Sequence, residues 1–394
     1  MPSPIRIAII GGGVAGASLI HALMKHPHLD VHIFESATEF KEAGMAFGIA
    51  RNAQAALELM GPEAGQFLKR AGAVPMKGVR IMFAQGEAAG KAADEIDEIG
   101  QGKRLTSIVH RVAFLQELLA NVPRDRMHAS KKLQKIDRND SVTLYFTDGT
   151  THECDILVGA DGIHSTVRKL VLGESDPAAS PQRNGAWFLM TLQPFDKAQA
   201  SLGQELIDME NPSSFVEEAR PSNNWQRKVS ADEIKELFRD FPPQLNEAII
   251  ELLCNQPEHN ALYLWDHPNA HTYVNGPICV TGDAAHSTTP WQGSGGGMTI
   301  EDSLILSTLL GCAKSSTEAL TALKVYDQFR RPRTQQIVES SRTIGTMLMG
   351  VNKDAGLDPA KFKSFLSRWD FIIDIDMEKH RDEALRAMKD ELKA

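Results

Sequence analysis

An apolar run, Ile5-Arg6-Ile7-Ala8-Ile9-Ile10, empties directly into Gly11-Gly12-Gly13-Val14-Ala15-Gly16, and a helix-forming stretch, ASLIHALMK, follows. The glycines at 11, 13 and 16 fit G-x-G-x-x-G in its proper setting, strand before and helix after. Each glycine has a physical reason to be there. Gly11 permits the tight turn, Gly13 lets backbone approach a pyrophosphate, and Gly16 lets helix and strand pack closely. A second strand-like run, Val31–Phe34, ends in Glu35, 19 residues beyond Gly16. That is where an acidic side chain meets the hydroxyls of an adenosine ribose. A glutamate there, not a basic residue, favours a free 2′-hydroxyl, hence FAD or NAD over NADP at this position. A chain that starts this way is expected to be α/β, with a parallel sheet.

A second glycine-rich stretch lies far away in sequence. Ile278-Cys279-Val280 reads as a buried strand. Gly282-Asp283 follows, with a carboxylate able to accept hydrogen bonds from ribose or ribityl hydroxyls. Pro290 fixes the backbone, and glycines at 293, 295, 296 and 297 clear side chains from the path of a ligand. A helix is expected from about Met298 through Ile300, Leu304, Leu306 and Leu309, its N-terminus aiming partial positive charge at whatever the glycines hold. Taken alone, this stretch fits a glycine-rich surface loop equally well.

Between them, DILVGADGIHSTVR at 155–168 is a buried strand, an acidic turn and a helix start. Asp161 and Arg168 could fix that turn or touch a ligand, and the first has at least equal weight. Residues 51–70 have helical spacing broken at Gly61-Pro62, and Ile81–Phe83 reads as a strand. The acidic stretch 86–103 reads as a solvated excursion. His110-Arg111 opens a helix, where an arginine is slightly misplaced against the macrodipole, inviting a contact to an anionic cofactor. Thr143–Phe146, then Asp148-Gly149, predict a hairpin.

Composition removes several classes. The chain has 394 residues and a net charge of −9, which speaks against a general nucleic-acid binder. Cysteines 154, 254, 279 and 312 form no CxxC pair, so no metal site or disulfide framework is expected, and a reducing, cytoplasmic setting fits. The start, Met-Pro-Ser-Pro, shows no secretory signal, and no apolar run reaches about 18 residues, so no transmembrane segment is expected.

The three stretches together resemble the FAD-dependent aromatic hydroxylases, single-component flavoprotein monooxygenases, in the salicylate-hydroxylase-like branch. Gly11–Gly16 with Glu35 matches the family's ADP-binding fingerprint, DILVGADGIHSTVR its DG motif, and GDAAHSTTPWQGSGGGMTIED its GD motif. YDQFRRPRTQQIVESSR, 326–342, resembles the long helix that follows. The resemblance implies a Rossmann-like FAD-binding domain with an inserted β-rich substrate domain, shortened here, and C-terminal helices. The expected division is 1–175 and 271–345 for FAD, 176–270 for substrate, and 346–394 as a helical tail. It implies FAD as cofactor and NAD(P)H as transient co-substrate, since no second G-x-G-x-x-G is present. The site residues implied are Gly11, Gly13, Gly16 and Glu35 at the ADP end; Gly48, Arg111 and Asp161 along the cofactor; Asp283 at the ribityl chain or pyrophosphate; and Gly295 and Gly296 beside the flavin ring. The implied chemistry is hydroxylation, through a C4a-hydroperoxyflavin, of a small aromatic or phenolic substrate, salicylate-like or polyketide-derived as in secondary metabolism, with decarboxylating hydroxylation and dearomatisation equally open. A homodimer is left open.

The chain departs from that family between Arg168 and Trp225, where QASLGQELIDMENPSSFVEEARPSNNW has little strand character and about 20 residues fewer than expected. An arginine common on the strand after the DG helix has no match, Leu189 or Met190 standing there. An active-site tyrosine is also missing, so no catalytic base is assigned. His286 is expected to be structural, and Trp291 either lines a substrate pocket or packs in the core. Two alternatives stay open: a flavin-binding protein without oxygenase activity, and an FAD-linked reductase or dehydrogenase.

Overall fold

The computed structural model describes residues 3–41, 46–76, 78–84, 86–97, 102–138, 141–189, 193–202, 215–218, 225–354, 358, 360–361 and 369–393, excluding the side chains of 78–80, 93–97, 195 and 215–218. Its centre is a six-stranded sheet in the order 274–275, 278–280, 156–159, 5–10, 29–34, 127–128. All neighbours run parallel except the hairpin of the first two. Ile7, Ile9, Ile33, Leu157, Val158, Cys279 and Val280 are all buried. Such near-continuous apolar runs belong to strands covered on both faces.

The register matters more than the strand count. Ile10 lies opposite both Phe34 and Gly159, and Gly159 lies opposite Val280. Four strands therefore end level with one another. The next residues are stitched together: Gly11 N donates to Phe34 O at 2.8 Å, Ala160 N to Ile10 O at 2.7 Å, and Thr281 N to Gly159 O at 2.9 Å. Gly11, Glu35, Asp161 and Asp283 thus emerge along one carboxyl edge, where open α/β sheets bind ligands.

The helix Val14–Leu23 packs on this sheet and against the helix Gly295–Cys312, with Ser18 Oγ 2.7 Å from Ser303 Oγ where both are buried. The second helix starts at Gly295, three residues earlier than its apolar pattern predicted. Its buried residues occupy every side, because it runs through the core and not along its rim.

A separate four-stranded antiparallel sheet has the order 215–218, 182–189, 258–266, 226–230. The helices Ala231–Leu237 and Pro243–Leu253 cover one face, closing a small core of Trp187, Leu189, Val229, Ile234, Phe238, Ile249, Leu253 and Ala261. Within the stretch 199–225, expected to have little strand character, the residues 215–218 do form a strand, paired with the eight-residue strand 182–189, which itself carries a register shift between Arg183 and Trp187. Residues 190–192, 203–214 and 219–224, Met190 included, lie outside the described residues. The acidic stretch after residue 86 also departs from expectation, since Ala92–Asp97 pairs with Gly78–Met82 as a strand.

The Asp-Gly hairpin forms as expected, with Gly149 at φ +82° between the strands 142–146 and 151–154. The long helix runs Ser316–Leu348. The terminal helix Met377–Glu391 is not a loose appendage: Met377, Ala384 and Met388 join the main core, and Asp374 just before it pairs with Arg51 and Lys103. Among the described residues no helix is long and apolar enough to cross a membrane.

Candidate functional site

The turn after the first strand is built by exclusion. A side chain on Gly16 would collide with the Gly11 carbonyl oxygen, and one on Gly11, at φ +109°, with that of Ala160. Only glycine allows both approaches. Glu35, at the end of its strand, turns its carboxylate onto the same turn: Gly12 N donates to one oxygen at 2.7 Å and Ala37 N to the other at 2.7 Å. The acid thus stands one hydrogen bond away from the glycine loop.

The second glycine stretch meets the first directly. Gly282 has φ +58°, and a Cβ there would stand 2.7 Å from the Cβ of Ala15. Asp283 opens the short helix Asp283–His286 and is exposed at this junction. Farther on, Gly293 adopts the left-handed conformation and has open space at its Cβ position. Gly295–Gly297 form the first turn of the core helix, with no side-chain cap at Ser294. The N–H groups of a first turn have no partner within the helix.

Gly48 and Arg111 belong to the same wall through Phe47. Its ring lies where a Cβ on Gly296 would be, 2.5 Å away, and the Arg111 guanidinium lies 5.8 Å from the ring centroid. Gly48 pairs with Ile108, and Arg111 opens the helix Arg111–Leu119 just beyond that strand. Gly11, Glu35, Gly48, Arg111, Asp283, Gly295 and Gly296 therefore belong to connected elements, with Gly13 opening the first helix and Gly16 buried beneath the first turn.

Asp161 lies on the same edge but spends its carboxylate locally. It accepts from Ser165 Oγ, from Thr166 N at 2.7 Å and from Val167 N at 3.2 Å, tying down the start of the helix Thr166–Leu172. Burial raises its carboxyl above the usual range, against the pull of those hydrogen bonds. Arg168 is buried and reaches the second glycine stretch without meeting a carboxylate. Its guanidinium donates to the carbonyls of Ala178 at 2.6 Å, Ala284 at 3.0 Å, Ala285 at 2.5 Å and Pro268 at 3.2 Å. Burial lowers its pKa to about 10. It clamps the Asp283 helix from behind.

Below the glycine bed lies a buried ionic cluster that sequence reading did not single out. Arg330 Nε donates to Asp302 Oδ1 at 2.7 Å, and its Nη1 pairs with Glu301 at 2.7 Å. Arg333 adds two hydrogen bonds to Glu301 at 2.8 Å, and Asn52 a third at 2.6 Å. Burial would raise the Asp302 carboxyl, but His286 and Arg330 hold it well below the usual range; Glu301 is held at about 2 in the same way by Arg330 and Arg333. His286 Nε2 lies 2.6 Å from Asp302, so this nitrogen carries the proton. Trp291 packs over Gly345 beside Phe83, Ile344 and Met347.

The residues fit a long, partly anionic cofactor. Thr288 Oγ1, Trp291 Nε1 and both polar atoms of the Gln292 side chain are buried without partners within the loop that leads to the glycine bed. A sequence model described as an FAD binding domain matches residues 5–341. The chain is 32% identical to 6-methylsalicylate 1-monooxygenase of Aspergillus terreus (strain NIH 2624 / FGSC A1156), over 98% of this chain and 93% of that protein. It is 28% identical to salicylate hydroxylase of Pseudomonas putida, over 96% and 94% respectively. A solved salicylate hydroxylase–substrate complex superposes with a TM-score of 0.82 at 25% identity, covering 98% of both chains. The alignment with the Aspergillus protein spans 418 positions against 394 residues here, so that relative carries residues with no counterpart in this chain.

Proposed function

Since this chain belongs to the FAD binding domain family and is an FAD-dependent monooxygenase of the salicylate-hydroxylase-like type, we propose that it uses NAD(P)H and dioxygen to hydroxylate a small aromatic or phenolic acid, salicylate-like or polyketide-derived. One oxygen atom enters the ring, the other leaves as water, and NAD(P)H supplies two electrons. Bound FAD supplies the chemistry the side chains lack: hydride acceptance and activation of dioxygen.

The observation that carries this reading is the Ala15–Gly282 contact. It brings the two glycine stretches together, and in this reading they form one groove with Glu35 at one end and Gly295–Gly297 at the other. Glu35 would hold the adenosine ribose, and the backbone of Gly11, Gly13 and Gly16 would pass the pyrophosphate. Asp283 would meet the ribityl chain, Gly48 and Arg111 would flank the cofactor, and Gly295 and Gly296 would lie beside the ring. The N-terminus of Gly295–Cys312 would stabilise negative charge developing on that ring. Asp161 would act by shaping its turn. Residues 1–175 and 271–345 form the FAD-binding part in this reading, 176–270 the substrate domain, and 346–394 a helical tail packed on the first.

A second reading, FAD binding without productive oxygenation, draws on the extra residues of the Aspergillus relative. The test is direct. Purified protein is expected to be yellow, to consume oxygen with NADH or NADPH, and to convert salicylate or 6-methylsalicylate to a hydroxylated product, either one oxygen richer or, where the hydroxyl replaces the carboxyl group, formed together with one CO2. Yellow protein that makes only peroxide supports the second reading, and colourless protein unable to take up FAD sinks both.

A further inference from the structure

The second sheet holds a cation that meets no anion among the described residues. Arg183 lies in the strand Gln182–Leu189, opposite Trp265. Its guanidinium sits 3.9 Å from the Tyr263 ring centroid and 5.9 Å from that of Trp265. Its Nε and Nη2 are buried and have no hydrogen-bond partner, and among the described residues no carboxylate pairs with it. Other desolvated arginines among the described residues are answered: Arg168 by four carbonyls, Arg330 by Glu301 and Asp302, Arg333 by Glu301, and Arg342 by Asp266. Stacking on aromatic faces offsets part of the cost of desolvating a guanidinium, but leaves its in-plane donors open to an anion.

The surroundings narrow the choice of anion. Trp265 is stacked on Trp225 at 4.3 Å between centroids, and the His164 ring meets Trp225 edge-on at 4.1 Å. Trp225 and Arg183 are both partly exposed. His164 belongs to the turn between Asp161 and Ser165, and Arg168 ties the helix after that turn to the carbonyls of Ala284 and Ala285 beside Asp283. The cluster is therefore linked to the Asp283 turn through His164, the turn that holds it, and Arg168. It does not lie on the other face of its own sheet: side chains alternate along a strand, and Arg183 shares its face with Trp187, Tyr263 and Trp265, whereas Ala186, Phe188, Leu262 and Leu264 point the opposite way.

We infer that the cluster of Arg183 with Trp225, Tyr263 and Trp265 docks the nicotinamide dinucleotide, its phosphates on the guanidinium and one of its planar bases on the indole faces. The inference rests on the monooxygenase reading, which needs an external two-electron donor. The chain's single G-x-G-x-x-G lies in the flavin groove, so the donor needs another platform. A guanidinium fork suits a pyrophosphate, and tryptophan faces suit a planar base.

The test is anaerobic rapid-mixing reduction of the FAD-loaded enzyme by NADH and by NADPH, in the native protein and in Arg183→Gln. The expected result is a rise of about tenfold or more in the donor concentration for half-maximal reduction, the factor for losing one charge-assisted contact. Flavin content, the limiting rate and affinity for the aromatic substrate should stay unchanged. An unaltered donor dependence overturns the inference while the monooxygenase reading stands, and so does a loss confined to aromatic affinity. Arg183→Lys, which keeps the charge but not the fork, guards against a sheet disturbed by glutamine; it too must weaken donor binding, and no change in it overturns the inference. Native enzyme reduced by neither donor removes the monooxygenase reading itself, and this inference with it.

Discussion

Ala15 and Gly282 stand back to back, from opposite ends of the chain, with room for a methyl group on one side only. Gly282 sits at φ +58°, and a Cβ on it would reach within 2.7 Å of Ala15 Cβ and 3.3 Å of Thr299 Oγ1. The contact fixes the spacing between the pyrophosphate turn and the turn that carries Asp283. A cofactor that must be gripped at both ends depends on that spacing.

Gly282→Ala is expected to destabilise the protein by about 2 kcal/mol or more, adding overpacking to the left-handed backbone penalty. FAD content should fall with it. Gly149→Ala is the control: its φ is +82° but nothing lies within 4 Å of the new methyl, so it carries the backbone penalty alone. Urea unfolding and flavin absorbance would separate the two. Equal losses of flavin would refute the claim that the joint matters.

The buried charges under the glycine bed make a second prediction. Arg330 answers both Glu301 and Asp302, and all three side chains are fully buried. Arg330→Met strands two carboxylates at once, and breaking such a pair typically costs about 3–5 kcal/mol. A loss under about 1 kcal/mol in urea unfolding, the size of an exposed pair, would show that Arg333, Asn52 and His286 suffice.

Acid should weaken the fold in a defined window. Arg126 Nη1 donates to His32 Nε2 at 2.8 Å, so the His32 proton sits on Nδ1, 2.8 Å from His128 Nε2, which must accept it. The relay works only with both rings neutral. The His152 ring lies tilted beside His32, Asp30, Asp125, Lys131, Arg6 and Glu153 surround them, and burial lowers the pKa of all three histidines, that of His152 to about 4. His21 and His380 are pushed to about 4 by burial too. In the unfolded chain these groups take up protons near pH 6.5, at about their unperturbed value. The unfolded state thus binds more protons below that point, and stability should be full above it and fall as pH drops to about 4. The loss tied to Glu301, held at about 2, comes at lower pH. His128 O accepts the Glu35 N–H at 2.8 Å, so FAD release should follow the same window. Replacing His32 and His128 by glutamine should make the decline below about pH 6.5 shallower, leaving the part due to His21, His152 and His380; an unchanged slope would refute the relay's part in it.

The sheet that carries the groove was readable because local pattern and fold agree there. Ile5–Ile10 and Ile278–Val280 are apolar enough to be central strands, and glycines at close approaches leave a signature that periodicity does not. The second sheet is only partly legible: its strand FVEE, 215–218, is four residues long and sits in a polar stretch, so no alternation marks it, and it is held by pairing with QRNGAWFL, whose own alternation is broken by a register shift. Arg183, Tyr263 and Trp265 were overlooked for a different reason. Tyr263 and Trp265 are two residues apart on one face, a pattern any strand core shows, and Arg183 meets them only through pairing with a strand far along the chain. The ionic cluster of Glu301, Asp302, Arg330 and Arg333 lay on two helices whose crossing no sequence window contains.

Glu35 serves the apo turn as well as its proposed ligand, and that decides how it should be tested. Its oxygens hold Gly12 N and Ala37 N, so alanine would remove loop caps and ribose contact together. Glu35→Gln keeps the shape and one acceptor while losing the charge. About tenfold weaker FAD binding is expected, the size of one charge-assisted hydrogen bond, with a stability loss of about 1 kcal/mol for the one backbone N–H left facing the amide group, less than in Glu35→Ala. Asp283→Asn should weaken binding similarly from the other end. Titration of apoprotein with FAD would check both, and native affinity in either variant would remove that residue from the site.

Coupling between donor oxidation and product formation is where the shortened chain should show itself. Activated oxygen survives only where water is kept out. The second sheet is closed on its helix side by Trp187, Ile234, Phe238 and Ile249. Its other face carries Phe188 and Leu262, and Leu262 remains 38% exposed. A wall that still meets solvent protects a reactive oxygen species poorly, and the Aspergillus relative has residues that this chain lacks. Peroxide is therefore expected as the main product of NAD(P)H oxidation with simple salicylate, with aromatic product in the minority. A larger substrate that covers Leu262 should raise the yield of product per donor consumed, as should Leu262→Trp. Peroxide assays beside product chromatography would measure the ratio, and tight coupling with unsubstituted salicylate would show that the exposed wall does not admit water to the reaction.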